Sequence, residues 1–183
     1  IVRLLNSYPD VELSVLQALS YCFYEVLDNV LTHSEKICGT VLMRYLSDVN
    51  RIQILVADDG IGVLKSLKIN PHYADISEED AVRTCILDGV TDGKGMGFGL
   101  YSTSRLVQNV GVTLEIHSGN SMLVYDGVKT VMKMMPHWQG TIVYFELHSD
   151  REINPNEIVD NRTDCEGQFN EEFAIEDELD NLW

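Results

Sequence analysis

Apolar residues recur at Leu13, Leu16, Leu19, Phe23, Val26, Leu27, Val30 and Leu31. That three-and-four spacing predicts a helix over 11–33, with Ser14 available near its start. The period then shortens: "TVLMRYLS" and "RIQILVADDG" predict two strands joined by the turn-forming "SDVN". Residues 63–90 are mixed, with a short helix expected over "SEEDAVRTCILDG". There Ser77 is placed to cap, and Asp80 lies at the third helical position, where an acid is favoured. A further helix is predicted from Gly99 to about Asn109. Beyond it "VTLEIHSG", "SMLVYDGVKTVMKMM" and "GTIVYFELHS" alternate as strands, and Asp126-Gly127 is a hairpin signal.

Past His148 the pattern changes, because apolar residues thin out and acids outnumber the two basic residues, Arg151 and Arg162. Residues 150–183 are therefore expected to form a solvated acidic tail or a docking element, and 1–149 the folded domain. The chain of 183 residues suits one such domain with a tail left over. Its formal net charge of −16 disfavours a nucleic-acid partner, since no basic patch is available to release counterions. Any phosphate bound here is expected to be a small, metal-chelated one. Four scattered cysteines, Cys22, Cys38, Cys85 and Cys165, make neither a C-x-x-C pair nor a zinc spacing, and a reducing cytosol is their simplest setting. No run of about 18 apolar residues suggests a membrane segment, and nothing at the amino end suggests a signal peptide. The chain opens on Ile1 rather than methionine, which leaves room for an upstream segment.

Chemistry concentrates in four stretches. In "EVLDNVLTH", Glu25, Asn29 and His33 are spaced by four and project from one helix face. Alone, this stripe could equally be the wet side of an amphipathic helix, shared with Asp28 and Thr32. In "LVADDGIGV" a hydrophobic strand ends in Asp58, Asp59, Gly60, Ile61 and Gly62. Such an end can set a carboxylate at a pocket mouth, where it accepts from an amine, or it can be an ordinary Asp-Gly turn. "TDGKGMGFGL" carries glycine at 93, 95, 97 and 99 before a helix, a place where free N–H groups favour an anion. It fails the Walker A pattern, because Gly95 and no serine or threonine follows Lys94, and its last interval is wrong for a Rossmann fingerprint. The fourth stretch is the Gly-Thr step that opens "GTIVYFEL".

Taken in this order, the four stretches resemble the N box, the D-x-G-x-G box, the G-x-G-x-G-L box and the final Gly-Thr strand of the GHKL superfamily. That superfamily joins gyrase, a heat-shock chaperone, histidine kinases and a mismatch-repair ATPase. The resemblance spans about residues 11–148. It implies the Bergerat-type ATP-binding fold, a two-layer α/β sandwich with helices on one face of a mixed, mostly antiparallel sheet, and a mobile lid at about 63–95. It also implies a function as a Mg²⁺-ATP-binding protein kinase or ATPase module. Asp58 would accept from the adenine amine, helped by a water that Thr141 also holds, and Gly60 and Gly62 would let the base lie against the backbone. Asn29 would hold Mg²⁺, Glu25 would act as general base, and Gly95, Gly97 and Gly99 with Leu100 would seat the phosphates of ATP or ADP. His33 resembles the histidine found there in some histidine kinases and in anti-sigma serine kinases, with a phosphate role and a structural one both open. Lys94 and Lys36 are candidate phosphate contacts, whereas Asp75, Glu78, Glu79 and Asp80 read as a solvated helix face.

Departures from the family pattern narrow the choice. No helical hairpin with a phosphoacceptor histidine precedes Ser14, and neither a transducer domain nor the length of the chaperone follows, so a complete sensor kinase is not expected. The stretch "SMLVYDGVKTVMKMMPHWQ" adds a hairpin where compact kinase domains pass directly between strands. The alternative to an enzyme is a nucleotide-switched module that docks a protein partner with little turnover.

Overall fold

The computed structural model describes residues 10–36, 38–93, 99–154 and 158. In chain order the elements are α1 (Leu13–His33), β1 (Thr40–Leu46), β2 (Arg51–Ala57), α2 (Gly62–Leu67), a 3₁₀ turn (Pro71–Tyr73), α3 (Glu78–Thr84), α4 (Gly99–Val110), β3 (Gly111–Tyr125) and β4 (Thr130–His148). The four strands form one sheet in the order β1-β2-β4-β3, and every pair in it is antiparallel. The expected two-layer α/β arrangement is what the chain adopts.

Strand alternation explains the layers. Ile54, Phe145 and Leu114 stand in one cross-strand row and Val56, Val143 and Ile116 in the next, all buried. The helices cover this face, and α1 contributes Val15, Leu16, Ala18, Leu19, Cys22, Val26 and Val30 to the same core. Each large aliphatic side chain buried here stabilises the fold by about 1.5–3 kcal/mol. The residues between them turn to the other face, which mixes apolar residues such as Leu42 and Leu55 with polar ones. There Glu146 accepts from Gln53 Nε2 and from the Tyr144 hydroxyl, both at 2.9 Å. Partial burial and this acidic neighbour push the Tyr144 phenol up to about 12.

Several expectations change in detail. Leu13 and Leu31, placed on the apolar stripe, are 59% and 62% exposed, while Val15, Ala18 and Cys22 take the core positions. Ser14 does not cap α1: Glu12 is the N-cap residue without a side-chain bond, and Ser14 Oγ instead accepts from Ile153 N–H at 3.1 Å. The three late strands are two long ones, because "VTLEIHSG" and "SMLVY" run on through an irregularity at Gly119, where φ is +62°. The hairpin tip is a four-residue loop in which Asp126 Oδ1 accepts from the N–H groups of Val128 and Lys129.

Residues 63–93 carry most of α2, the 3₁₀ turn and α3, and Val63, Leu67, Ala81, Val82, Cys85 and Ile86 join the core. Glu78 is half-buried and more than a solvated residue of a helix face: it accepts from Asn120 N–H and Ser121 Oγ and so fastens α3 to β3. Packing also crosses the boundary expected at 150, since Ile153 lies against the core and Ile158 is fully buried in it. Among the described residues no helix is long and apolar enough to cross a membrane.

Candidate functional site

The end of α1 is where the separate stretches meet. Among the described residues Asp28 is exposed and accepts from the neighbouring Thr32 hydroxyl alone, whereas Glu25, Asn29 and His33 are half-buried, so the stripe of three is less wet than Asp28 beside it. Burial, and then the negative charge of Asp28, raises the Glu25 carboxyl above its usual range. Asn29 Nδ2 is buried and has no hydrogen-bond partner among the described residues. A buried amide left unpaired is costly unless something else completes it.

The D-x-G-x-G stretch is docked on the helix end by backbone. Ile61 N–H donates to the Ser34 carbonyl at 3.1 Å, and a side chain on Gly60 would lie 2.2 Å from that carbonyl oxygen. Gly60 is thus needed for contact with α1, a nearer reason for glycine than approach of a ligand. Gly62 has φ +76°, and a Cβ there would meet Ser118 Oγ, Gln139 O and Gly140 O. Lys36 Nζ lies 3.9 Å from Asp59 Oδ1, with both side chains exposed.

Asp58 is held on nearly every polar atom. Its N–H donates to the Thr141 carbonyl at 2.9 Å, and its Oδ1 accepts from Gly60 N–H at 2.8 Å and Thr141 N–H at 3.3 Å. Its carbonyl accepts from the Trp138 indole at 2.8 Å. Oδ2 alone has no partner among the described residues. Burial raises this carboxyl, against the two backbone donors that lower it. A fixed carboxylate with one free oxygen, itself 7% exposed, can accept one amine hydrogen and discriminate its direction.

His33 closes the remaining gap. Its Nδ1 lies 2.8 Å from Oδ2 of Asp92, whose side chain is 1% exposed, and Ser66 Oγ donates to the same oxygen at 3.2 Å. One carboxylate therefore joins α1, α2 and the segment that leads into the glycine cluster. Gly99 is the first residue of α4, and Leu100 is partly buried against the core. Lys94, Gly95 and Gly97 lie outside the described residues.

The residues present fit a chelated nucleotide. Among the described residues no group of three or more His, Cys, Asp or Glu could hold a metal by itself. The donor set instead includes the side-chain oxygen of Asn29, the kind of ligand that suits a Mg²⁺ taking its other ligands from phosphate and water, while the unpaired Nδ2 is a hydrogen-bond donor that suits an acceptor such as a phosphate oxygen.

Sequence reasoning missed Asp92, Gly140, Trp138 and Gln139. A side chain on Gly140 would come within 2.2 Å of Asp58 O and 2.5 Å of its Oδ1, so the Gly-Thr step was a usable signal for this glycine. Asp92 gave no local signal, because its partners lie 59 and 26 residues away.

A family model described as histidine kinase-, DNA gyrase B- and HSP90-like ATPase matches residues 15–151. Similar solved structures include the 43K ATPase domain of Thermus thermophilus gyrase B in complex with an aminocoumarin, at 16% identity and TM-score 0.40, covering 76% of this chain and 37% of that one. The ATPase region of Saccharomyces cerevisiae topoisomerase II is 11% identical with TM-score 0.39, covering 77% of this chain and 42% of that one. The chain thus spans well under half the length of these structures. No curated protein sequence matches it.

Proposed function

The chain belongs to the histidine kinase-, DNA gyrase B- and HSP90-like ATPase family, and from that premise we propose that it is a Mg²⁺-ATP-binding module that cleaves the γ-phosphoryl bond, as a protein kinase or an ATPase. One observation carries the reading: the four stretches are linked to one another by direct contacts. Ser34 joins the first to the second through Gly60 and Ile61, Asp58 joins the second to the fourth through Thr141, and Asp92 joins the first to the third through His33.

In this reading the free Oδ2 of Asp58 accepts from the adenine amine. The Asn29 amide oxygen holds Mg²⁺, which when bound supplies positive charge along the triphosphate. Glu25, one turn before Asn29, takes the proton from the attacking water or protein hydroxyl, or orients the acceptor where that is a histidine. Its raised proton affinity suits that task, because a general base works best with a pKa near the working pH. His33 is held by Asp92 at its Nδ1, which leaves Nε2 as the nitrogen free to turn to solvent or ligand.

The test is replacement of Glu25 by alanine, with ATP binding and phosphate release or transfer measured separately. Binding is expected to persist while turnover falls by about 10²–10⁴. Unchanged turnover would remove Glu25 from catalysis. A wild-type protein that binds ATP with no turnover to lose would leave the nucleotide-switched docking module as the function. Asn29→Ala is expected to abolish Mg²⁺-dependent binding, and intact binding in that variant would undo the metal assignment.

A further inference from the structure

The hairpin stretch at 121–139 meets the candidate adenine site at its last two residues, and the contact is made by side chains. Trp138 Nε1–H donates to the Asp58 carbonyl at 2.8 Å, and Gln139 Nε2 donates to the Asp59 carbonyl at 3.0 Å. Two successive residues of β4 thus grip two successive peptide groups of the D-x-G-x-G stretch. Its far end lies close against the same strand, since a Cβ on Gly62 would lie 2.8 Å from Gln139 O and 3.2 Å from Gly140 O.

We propose that Trp138 and Gln139 are positioning residues that set how sharply the site selects adenine. The proposal rests on the ATP site described above. Its physical basis is the peptide unit between Asp58 and Asp59, whose tilt governs where the Asp58 side chain leaves the backbone. The tilt of the next unit governs where Gly60 N–H points, and that donor fixes Asp58 Oδ1 and therefore the direction of Oδ2. With both carbonyls held, Oδ2 faces one direction. Adenine offers an amine hydrogen to an acceptor there, whereas guanine offers a carbonyl oxygen that the carboxylate repels. An acceptor free to swing tells the two apart less well. The indole of Trp138, 37% exposed, has one polar atom, and this part-buried bond is what it donates.

The experiment measures ATP and GTP affinities, each with Mg²⁺, for the wild type, Trp138→Phe, Gln139→Met and Asp58→Asn. Trp138→Phe keeps an aromatic ring and removes the N–H, and Gln139→Met keeps length and removes the donor. Each is expected to lower the ATP-to-GTP affinity ratio by about two- to tenfold, the worth of one hydrogen bond. The ratio is internal to each sample, so partial misfolding reduces binding capacity and leaves the ratio alone. A lowered ratio in both variants supports the proposal. A wild-type ratio in both, alongside a collapsed ratio in Asp58→Asn, overturns the brace and leaves the adenine site standing. A wild type that prefers neither nucleotide, or an Asp58→Asn ratio equal to that of the wild type, overturns the adenine site and the brace with it.

Discussion

Glu25, the base in the proposed reaction, is a half-buried carboxyl that weighs on stability. Its folded-state pKa is raised, by burial first and Asp28 second, so the folded chain holds that proton more tightly than the unfolded chain does. Where the unfolded state binds fewer protons, stability falls as pH rises. The loss begins in the ordinary glutamate range near 4.5 and is complete above the raised value. Glu25→Gln cannot ionise and escapes this penalty. The variant is therefore expected to be the more stable at neutral pH, with the difference shrinking as pH falls towards the ordinary carboxylate range. Urea midpoints of both proteins at a series of pH values check this, and a difference that is constant with pH would contradict it. Subtracting variant from wild type matters because Asp58 is raised as well and tilts the wild-type profile the same way. Sequence spacing alone placed Glu25 beside Asn29 on one face, since that relation is set by the helix period. That Asn29 Nδ2 has no partner among the described residues was not legible, because it depends on what every other element leaves uncovered.

Helix α3 separates local from distant information. Its N-cap was readable, for Ser77 and Asp80 are three residues apart, and Ser77 Oγ does accept from Asp80 N–H at 3.1 Å. The next residue was misread as solvated, since the donors that occupy Glu78 lie 42 and 43 residues further on, at Asn120 and Ser121. The two long strands were read as three for a related reason: Gly119 looks like a break, yet it has no Cβ because the Glu78 carboxylate fills the place where one would sit. These differences predict different responses. Ser77→Ala is expected to cost about 1 kcal/mol and to speed amide exchange only in the first turn of α3. Glu78→Ala removes the tie to the sheet, so exchange is expected to speed both in α3 and around 119–121 of β3. Exchange rates by NMR distinguish the two patterns. Fast exchange confined to α3 in Glu78→Ala would mean that the carboxylate does not hold the layers together.

At the scale of the molecule, most of the architecture follows from patterns of period 2 and 3.6 that a sequence carries openly, and its outer limit does not. Composition put the edge of the domain near 149, because acids accumulate beyond it. A composition shift reports the average of a segment and is blind to single anchors within it. Two such anchors sit past the expected edge: Ile153, whose N–H donates to Ser14 at the start of α1, and Ile158, buried to 1% exposure in the core. The strand end is tied in as well, for Glu12 N–H donates to the Ser149 carbonyl at 2.7 Å, and Ser149 N–H to the Asn50 carbonyl at 3.0 Å. Ile153 thus ties the chain after β4 to the start of the helix that carries Glu25 and Asn29 at its other end. Removing a fully buried isoleucine side chain costs about 2–5 kcal/mol, a large share of the stability of a domain this size. A chain cut after Ser149 is expected to melt well below the whole chain, and one cut after Asp160 close to it. Ile158→Ala in the whole chain is expected to reproduce much of the first loss with every other residue in place. Thermal unfolding of the three proteins beside the wild type decides the matter. Equal melting temperatures for the chains cut after 149 and after 160 would show that the core ends where the composition changes.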